Sequence, residues 1–447
     1  MTDETPSTPP TLPAQRRTWT MVDLTRDDLP RIKELEDTVW FEVQPGGTPE
    51  DLEGDLDFAH ARGAERPEGP LPGEQVTSAA PLVGIYSAFD MTLTVPGPAD
   101  GLAVVPMTGL TWVGVHPDAR RKGLLTQMIR DHLRRVHDGT ECAISGLHAS
   151  EAGIYGRFGY GHATTEVKLE LGRGTTLTPS PDVEAAVGGV QTHVVTLPTA
   201  DGLAALHQAH LACAATTLGA VTRPDSKADQ WYRDFPKSRG SKEPRRLLLA
   251  RRDGAISGYA VFRRESKWQD ATPQGTVDVS ELGAVDLPSL LALARRLLDL
   301  DLTSKVTFWG RSMDDPLLWW AGGPRSANPR VYDSLWVRIV DLPHALTGRG
   351  YSAPCDLVLD VTDELCPWNA GRWRLRVDAR GAASCERSDD PPDLTVPVAA
   401  LGAAYPGGRS LVSLAPLHGI TQIRAGALRE LSRAFRADSE PAASIDF

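Results

Sequence analysis

The chain has 447 residues, 58 of them acidic and 47 basic, for a formal net charge of −11. Hydrophobic residues make up 41% and charged residues 23%, the balance of a globular protein large enough for two or three domains. No basic segment stands out and no apolar run would span a bilayer, which argues against nucleic-acid and membrane partners. Five cysteines (Cys142, Cys213, Cys355, Cys366, Cys385) form no C-x-x-C pair, and the N-terminus lacks a signal-peptide core, so a reducing, cytoplasmic setting is expected. An acidic surface of this kind suits polycationic small molecules, the competing reading being solubility alone.

Residues 1–18, rich in Pro, Thr and Ser, are expected to be disordered. Asp27-Asp28-Leu29-Pro30 leads a helix with Ile32, Leu35 and Val39 on its apolar face and Trp40-Phe41 at its end. Residues 44–75 interleave Gly, Pro and charges and read as one long loop, equally a lid and a disordered insertion. Two strands are expected at 82–89 and 91–96, and another at 110–115, where β-branched and aromatic residues cluster. Pro117 ends that ladder, because it has no N–H to donate. Arg120-Arg121-Lys122-Gly123-Leu124-Leu125 follows. The helix after it carries Leu125, Met128, Ile129, Leu133 and Val136 on one face and Arg130, Asp131, Arg134 and Arg135 on the other. A strand, a short basic glycine turn and a helix make a phosphate site, since the first helical turn offers unpaired N–H groups and the positive end of the dipole. The competing reading is a solvated basic turn.

Val113-Gly114-Val115-His116-Pro117 followed by Arg120-Arg121-Lys122-Gly123 resembles the acetyl-CoA-binding core of the GCN5-related N-acetyltransferases. Their general pattern is Q/R-x-x-G-x-G/A, and Leu125 stands at its last position here. The run Ala149-Ser150-Glu151-Ala152-Gly153-Ile154-Tyr155-Gly156-Arg157-Phe158-Gly159-Tyr160-Gly161 resembles the enhanced intracellular survival branch, which also has Leu-Leu after the glycine. The closing Asp446-Phe447 fits that branch, whose members end in an acidic residue and a phenylalanine. The resemblance implies an α+β (α/β) chain of two tandem acetyltransferase-like mixed-sheet domains and a sterol-carrier-protein-like α+β domain. Behind the 1–18 extension these are a catalytic domain at 19–175, a degenerate second domain without cofactor at 176–337, and a third at 338–447 whose C-terminus reaches the active site. It also implies acetyl-CoA as co-substrate and a homo-oligomer, a hexamer in relatives.

Farther along, the alternating residues 167–171 are expected to close the first sheet, with a Thr/Pro/Gly-rich link at 174–190. A helix at 200–213, a hairpin of 247–254 with 256–263, a strand at 277–282, a Leu-rich helix at 288–300 and a strand at 305–308 repeat the order of the first unit, without a basic glycine turn. From about Arg338 antiparallel strands (355–361, 371–377) and late helices follow, and no apolar tunnel pattern supports lipid carriage.

Acetyl transfer to an amine requires that a thioester be held, its carbonyl polarised, the amine deprotonated and the thiolate protonated. On the resemblance, the backbone of Trp112, Val113 and Val115 would hold the pantetheine arm and acetyl carbonyl, and Arg120, Arg121, Gly123, Leu124 and Ser150 the pyrophosphate side. Tyr155 is the candidate general acid, an unperturbed tyrosine (pKa about 10) keeping its proton at neutral pH; packing beside Phe158 and Tyr160 is the competing reading. On the same resemblance the α-carboxylate of Phe447 is the candidate base, its ordinary pKa of about 3.3–3.7 rising on desolvation; a frayed, solvated terminus is the competing reading. Asp446 and Glu42 would bind the cationic acceptor. His116 and His148 flank motif segments, no histidines sit at metal-ligand spacing, and no metal is expected. The function expected is acetyl-CoA-dependent N-acetylation of a small polycationic, aminoglycoside-like molecule. The alternatives are acylation of another amine, such as a biosynthetic intermediate or a peptide amine, and a non-catalytic CoA-binding module.

Overall fold

The computed structural model describes residues 19–40, 47–67, 69, 80–139, 141–197, 199–224, 227–228, 231–236 and 239–447. The segment 1–18 and Glu42 lie outside them. The first sheet runs, in spatial order, Thr20–Asp23, Arg62–Glu65, Leu82–Pro96, Leu102–Val115, Ile144–His148, Leu335–Ile339 and Gly161–His162, with Val221–Thr222 added against Leu82–Pro96. The strands expected at 82–89 and 91–96 are one. Asp90 turns outward opposite Thr108 without breaking the ladder, because one polar residue fits a strand's alternation. Within the expected loop 44–75, a capped turn Pro49–Leu52 and the strand Arg62–Glu65 are ordered. Arg-Gly-Ala-Glu has little strand propensity of its own. Pairing on both edges holds it, along with Arg62, whose Nη1 lies 2.6 Å from Asp23 and whose Nε lies 3.1 Å from Asp131.

Residues 167–171 do not close the first sheet. Thr165–Gly172 lies in the second, between Arg330–Asp333 and Thr303–Arg311, with Leu169 opposite Phe308. In return, Leu335–Ile339 crosses into the first sheet, Leu335 opposite His148 and Val337 opposite Gly161. The two units thus exchange a strand, and alternation, which sets faces but not sheets, carries no sign of it. The second sheet continues through Gly275–Ala284, Ala255–Glu265, Arg246–Arg252 and Val190–Thr196. The hairpin turns on Asp253 and Gly254, both at positive φ. The expected link 174–190 contains a short helix, Pro181–Ala186, entered through Ser180 and a proline at its start.

The third unit is a five-stranded sheet (Ala383–Arg387, Gly371–Val377, Cys355–Thr362, Leu394–Pro397, Thr421–Gln422) with helices Val398–Ala404, Leu411–His418 and Ala427–Phe435. It shares one apolar core with the first sheet, in which Met107, Ile144, Leu335 and Val337 meet Leu375, Leu401, Phe435 and Ile445. Burying each such side chain stabilises by roughly 1.5–3 kcal/mol, so the chain's end is held by packing. Arg338, expected at the start of the third unit, lies instead in the exchanged strand. Its buried guanidinium donates to Asp363 at 2.6 Å and to the Phe158 carbonyl at 2.9 Å. Among the described residues no helix is long and apolar enough to cross a membrane.

Candidate active site

Leu102–Val115 and Ile144–His148 pair in parallel only at residues 107–109 against 144–146. Beyond that they part, while the other edge of Ile144–His148 stays paired with the exchanged strand along its whole length. On its other edge Leu102–Val115 has a bulge: Thr111 faces Ser87 and Gly114 faces Ile85, leaving Trp112 and Val113 without counterparts. Trp112 sits at φ 54 and packs edge-on against Trp40, ring centroids 5.3 Å apart. A bulge of this kind frees backbone groups from the ladder, here at the mouth of a V between two strands.

The turn that follows the strand is tied down on its inner side. Asp118 donates its N–H to His116 Nδ1 at 3.2 Å, and Arg120 Nε donates to the Val115 carbonyl at 3.2 Å. Arg121 (φ 60) and Gly123 (φ 88) bring the chain round to the helix Leu124–Gly139. Gly123 has no side chain to cap the first-turn N–H groups, and open space lies beside it. Leu124, Met128, Ile129, Leu133 and Val136 are buried as an apolar stripe. Two assignments are corrected here: Leu125 is half-exposed and lines the cleft, and Asp131 turns inward to accept from Tyr86 (2.6 Å) and Arg62. The cleft, about 680 Å³, brings together Val113, Val115, Arg120, Arg121, Gly123, Leu124, Ser150 and Tyr155. Unpaired amides, two arginines and a strand edge suit a pyrophosphate carrying an amide-rich arm.

The second unit differs at the matching point. The helix Leu287–Leu298 is capped by Asp286, whose Oδ1 accepts from Ser289 N–H at 2.8 Å and whose Oδ2 lies 2.9 Å from Arg252. A carboxylate already occupies the place an anion would take.

The far end of the V is a pocket of about 270 Å³ with Glu36, Trp40, Trp112, His148, Ser150, Tyr155 and Phe447 on its wall. Phe447 arrives where Gly109 leaves room: a Cβ there would lie 2.8 Å from its ring. His148 stands edge-on to that ring at 4.9 Å, its Nδ1 3.3 Å from the Asp446 carboxylate and its buried Nε2 without a partner. Burial depresses its pKa, Asp446 opposing. Tyr155 lines both the cleft and this pocket, and burial, then Glu151, pushes its pKa up to about 12. Tyr160 is fully buried, its hydroxyl 2.9 Å from Ser145 Oγ, which is 2.9 Å from His132 Nε2. It lines neither cavity, and this separates the two tyrosines.

Adjoining through Asp446 is a cavity of about 310 Å³ lined by Glu166, Asp278, Ser280 and Trp309. Burial, then Asp446, pushes Glu166 up to about 7. Sequence reasoning passed over Glu36 and Glu166 and gave His148 no role in the acceptor pocket. Only His148 left a trace, as a histidine closing a strand just before the Ala149-Ser150 motif. Among the described residues no three His, Cys, Asp or Glu gather as a metal site.

Residues 23–163 and 219–339 each match an acetyltransferase (GNAT) domain family, and residues 342–444 a sterol carrier protein domain family. The chain is 37% identical over 396 residues to an uncharacterized N-acetyltransferase of Streptomyces coelicolor, covering 89% of this chain and 93% of that protein. It is 30% identical to the N-acetyltransferase Eis of Mycobacterium tuberculosis over 384 residues, 85% of this chain and 88% of that one. Among solved structures, Eis1 of Mycobacterium abscessus superposes with a TM-score of 0.75 at 27% identity, over 96% of this chain and all of that one. A GCN5-related N-acetyltransferase of Anabaena variabilis shares the fold with a TM-score of 0.77 at 18% identity and the same coverage. With two acetyltransferase domain matches, a sterol carrier protein domain match and this likeness to Eis over most of both chains, the chain belongs to the Eis family of GNAT N-acetyltransferases.

Proposed function

We propose that this enzyme moves the acetyl group of acetyl-CoA to an amine of a small polycationic, aminoglycoside-like molecule. The observation that carries the reading is the meeting of Tyr155, His148, Asp446 and the chain's own last residue beside the bulge at Trp112 and Val113. Acetyl-CoA, when bound, supplies an activated acyl carbon and a thiolate leaving group. Backbone groups of Trp112 and Val113, freed at the bulge, hold the arm and the acyl oxygen with Val115 beside them. Arg120, Arg121, the amides after Gly123 and Ser150 hold the phosphates. The Phe447 carboxylate accepts the proton of the acceptor ammonium, and His148 and Asp446 keep the terminus in place. The amine nitrogen bonds the acyl carbon and the carbon–sulfur bond breaks; Tyr155 gives its proton to sulfur and takes up the proton that the new amide nitrogen sheds, ending neutral.

A tyrosine near pKa 12 is a weak acid for an ordinary thiolate. Tyr155 therefore gives its proton as charge forms on sulfur while the carbon–sulfur bond breaks, rather than to a free thiolate.

A polycation is supported by Glu36, Glu166, Asp278 and Asp446 around the acceptor end and by the chain's net charge of −11. The test is a thermal shift with acetyl-CoA followed by thiol release across a panel of amines. Stabilisation by acetyl-CoA with turnover on polyamino sugars and none on monoamines is expected. Turnover confined to peptide or monoamine acceptors would overturn the acceptor class.

A further inference from the structure

The second unit repeats the first unit's V. Gly275–Ala284 and Thr303–Arg311 pair in parallel as far as Val279 opposite Phe308 and then part. A bulge sits at the parting, where Val261 faces Glu281 and Phe262 faces Val279, leaving Ser280 over. Asp286 caps the helix beyond it, so this V keeps the shape of an acyl-CoA cleft without its anion site.

The chain's own tail lies across the opening. Ala443, Ser444, Ile445 and Asp446 wall the 310 Å³ cavity with Ser280, Trp309 and Gly310. Ala442 and Ser444 wall a second cavity, of about 440 Å³, with Gly283 and Arg311. The tail therefore runs between the two cavities where the strands part. It is pinned along its length: Thr165 donates to Glu440 at 2.9 Å, Glu440 N–H to Asp314 at 2.7 Å, and Ala442 N–H to the Leu218 carbonyl at 2.9 Å. The last pin is double. Ser444 Oγ donates to the Val221 carbonyl at 2.7 Å and accepts the Val221 N–H at 3.1 Å. Val221 is fully buried and sits opposite Leu93 in the first sheet, so this pin fixes the tail against the catalytic unit. Three residues remain to Phe447, a reach of roughly 10 Å at full extension.

We propose that the second unit's vacant V is the seat of the catalytic tail, and that Ser444 is a positioning residue setting where the Phe447 carboxylate ends. The proposal rests on the reading of that carboxylate as the base. A single hydroxyl replaces a pair of ladder bonds, and without it the final residues keep the side-chain packing of Ile445 and Phe447 and the contacts of His148 with Asp446 and the Ile445 backbone.

The experiment compares Ser444→Ala, Ser444→Thr and a form with residues appended after Phe447, all as full chains. Ser444→Ala is expected to lower kcat about tenfold or more with the acetyl-CoA dissociation constant unchanged by calorimetry, which shows the fold intact. The acid limb of kcat against pH should move to lower pH as the loosened carboxylate regains water. Ser444→Thr, which keeps the hydroxyl, should restore both. If the extended chain loses activity while Ser444→Ala keeps full kcat and an unmoved acid limb, the role of Ser444 is overturned and the carboxylate reading stands. If the extended chain is fully active, the carboxylate reading itself falls, and this inference with it.

Discussion

The ring of Phe447 stands at 84° to the ring of His148, centroids 4.9 Å apart, while the neighbouring Asp446 carboxylate lies 3.3 Å from the same imidazole. Chain termini are ordinarily frayed and solvated. This one is packed, Ala443 and Ile445 being buried in the core shared by the first and third units. Phe447 is thereby delivered to a pocket whose other lining residues lie between Glu36 and Tyr155.

Deleting Asp446 and Phe447, or appending a few residues, should cut turnover about 10²-fold or more, the usual scale for a general acid–base group, with acetyl-CoA binding retained. Tyr155→Phe should lose a similar factor, since it removes one hydroxyl and almost no packing. Tyr160→Phe should act mainly on stability, because its hydroxyl serves the Ser145–His132 chain. Steady-state kinetics beside calorimetry with CoA check all three. Equal losses for the two tyrosines would contradict the assignment.

Arg121→Ala combined with Gly123→Asp should weaken CoA more than tenfold. At φ 88 an aspartate is strained, and its carboxylate at the start of Leu124–Gly139 would act as Asp286 does at Leu287–Leu298. Unchanged CoA affinity by calorimetry would sink the pyrophosphate site.

The glycine turn and the amphipathic helix were legible because local chemistry sets both: a backbone needing no side chain at Gly123, and the 3.6-residue spacing of Met128, Leu133 and Val136. Tyr155 and Phe447 were readable only through likeness to relatives, since no local signal says that two distant segments meet. The strand exchange left no trace, because Val167, Leu169 and Leu171 alternate identically whichever sheet receives them. Glu36 reads as a solvated helix residue and Glu166 as the outward side of a strand. Each becomes a pocket wall only when distant segments, the tail among them, lie against it.

Glu166 predicts a pH dependence. Burial holds it near 7, so it is mostly neutral at pH 6 and mostly ionised at pH 8. A polyamine acceptor stays largely cationic over that range, and its KM should fall several-fold as pH rises and the carboxylate forms. Glu166→Gln should flatten the change. The same group works the other way on stability: a carboxyl whose folded pKa is raised contributes stability below its unfolded value and loses it as pH rises through 7. A KM for the parent independent of pH between 6 and 8 would count against this acceptor wall.

The last prediction concerns Arg338 and Asp363, both almost wholly buried, 2.6 Å apart. Removing one partner of such a pair strands a charge in the interior and costs about 3–5 kcal/mol, whereas replacing both by apolar groups of similar volume can be nearly neutral. Asp363→Ala should therefore lower Tm by several degrees or more, at roughly 2–4 °C per kcal/mol for a large domain. Asp363→Leu with Arg338→Met removes the stranded charge but leaves the Leu365 and Cys366 N–H groups and the Asn369 amide without their acceptor, so it should recover only part of that loss. The two differ in activity from what stability alone would give. Arg338 Nε also donates to the Phe158 carbonyl, in the turn Tyr155–Phe158 that carries the candidate acid. The double variant, though more stable than the single one, should turn over more slowly because the turn has lost its anchor, with kcat falling further than acetyl-CoA affinity. Scanning calorimetry on the three proteins tests the first half and steady-state kinetics the second. A double variant with full kcat would show that packing alone fixes the Tyr155 turn, and a single variant with unchanged Tm would show that Arg338 finds another partner.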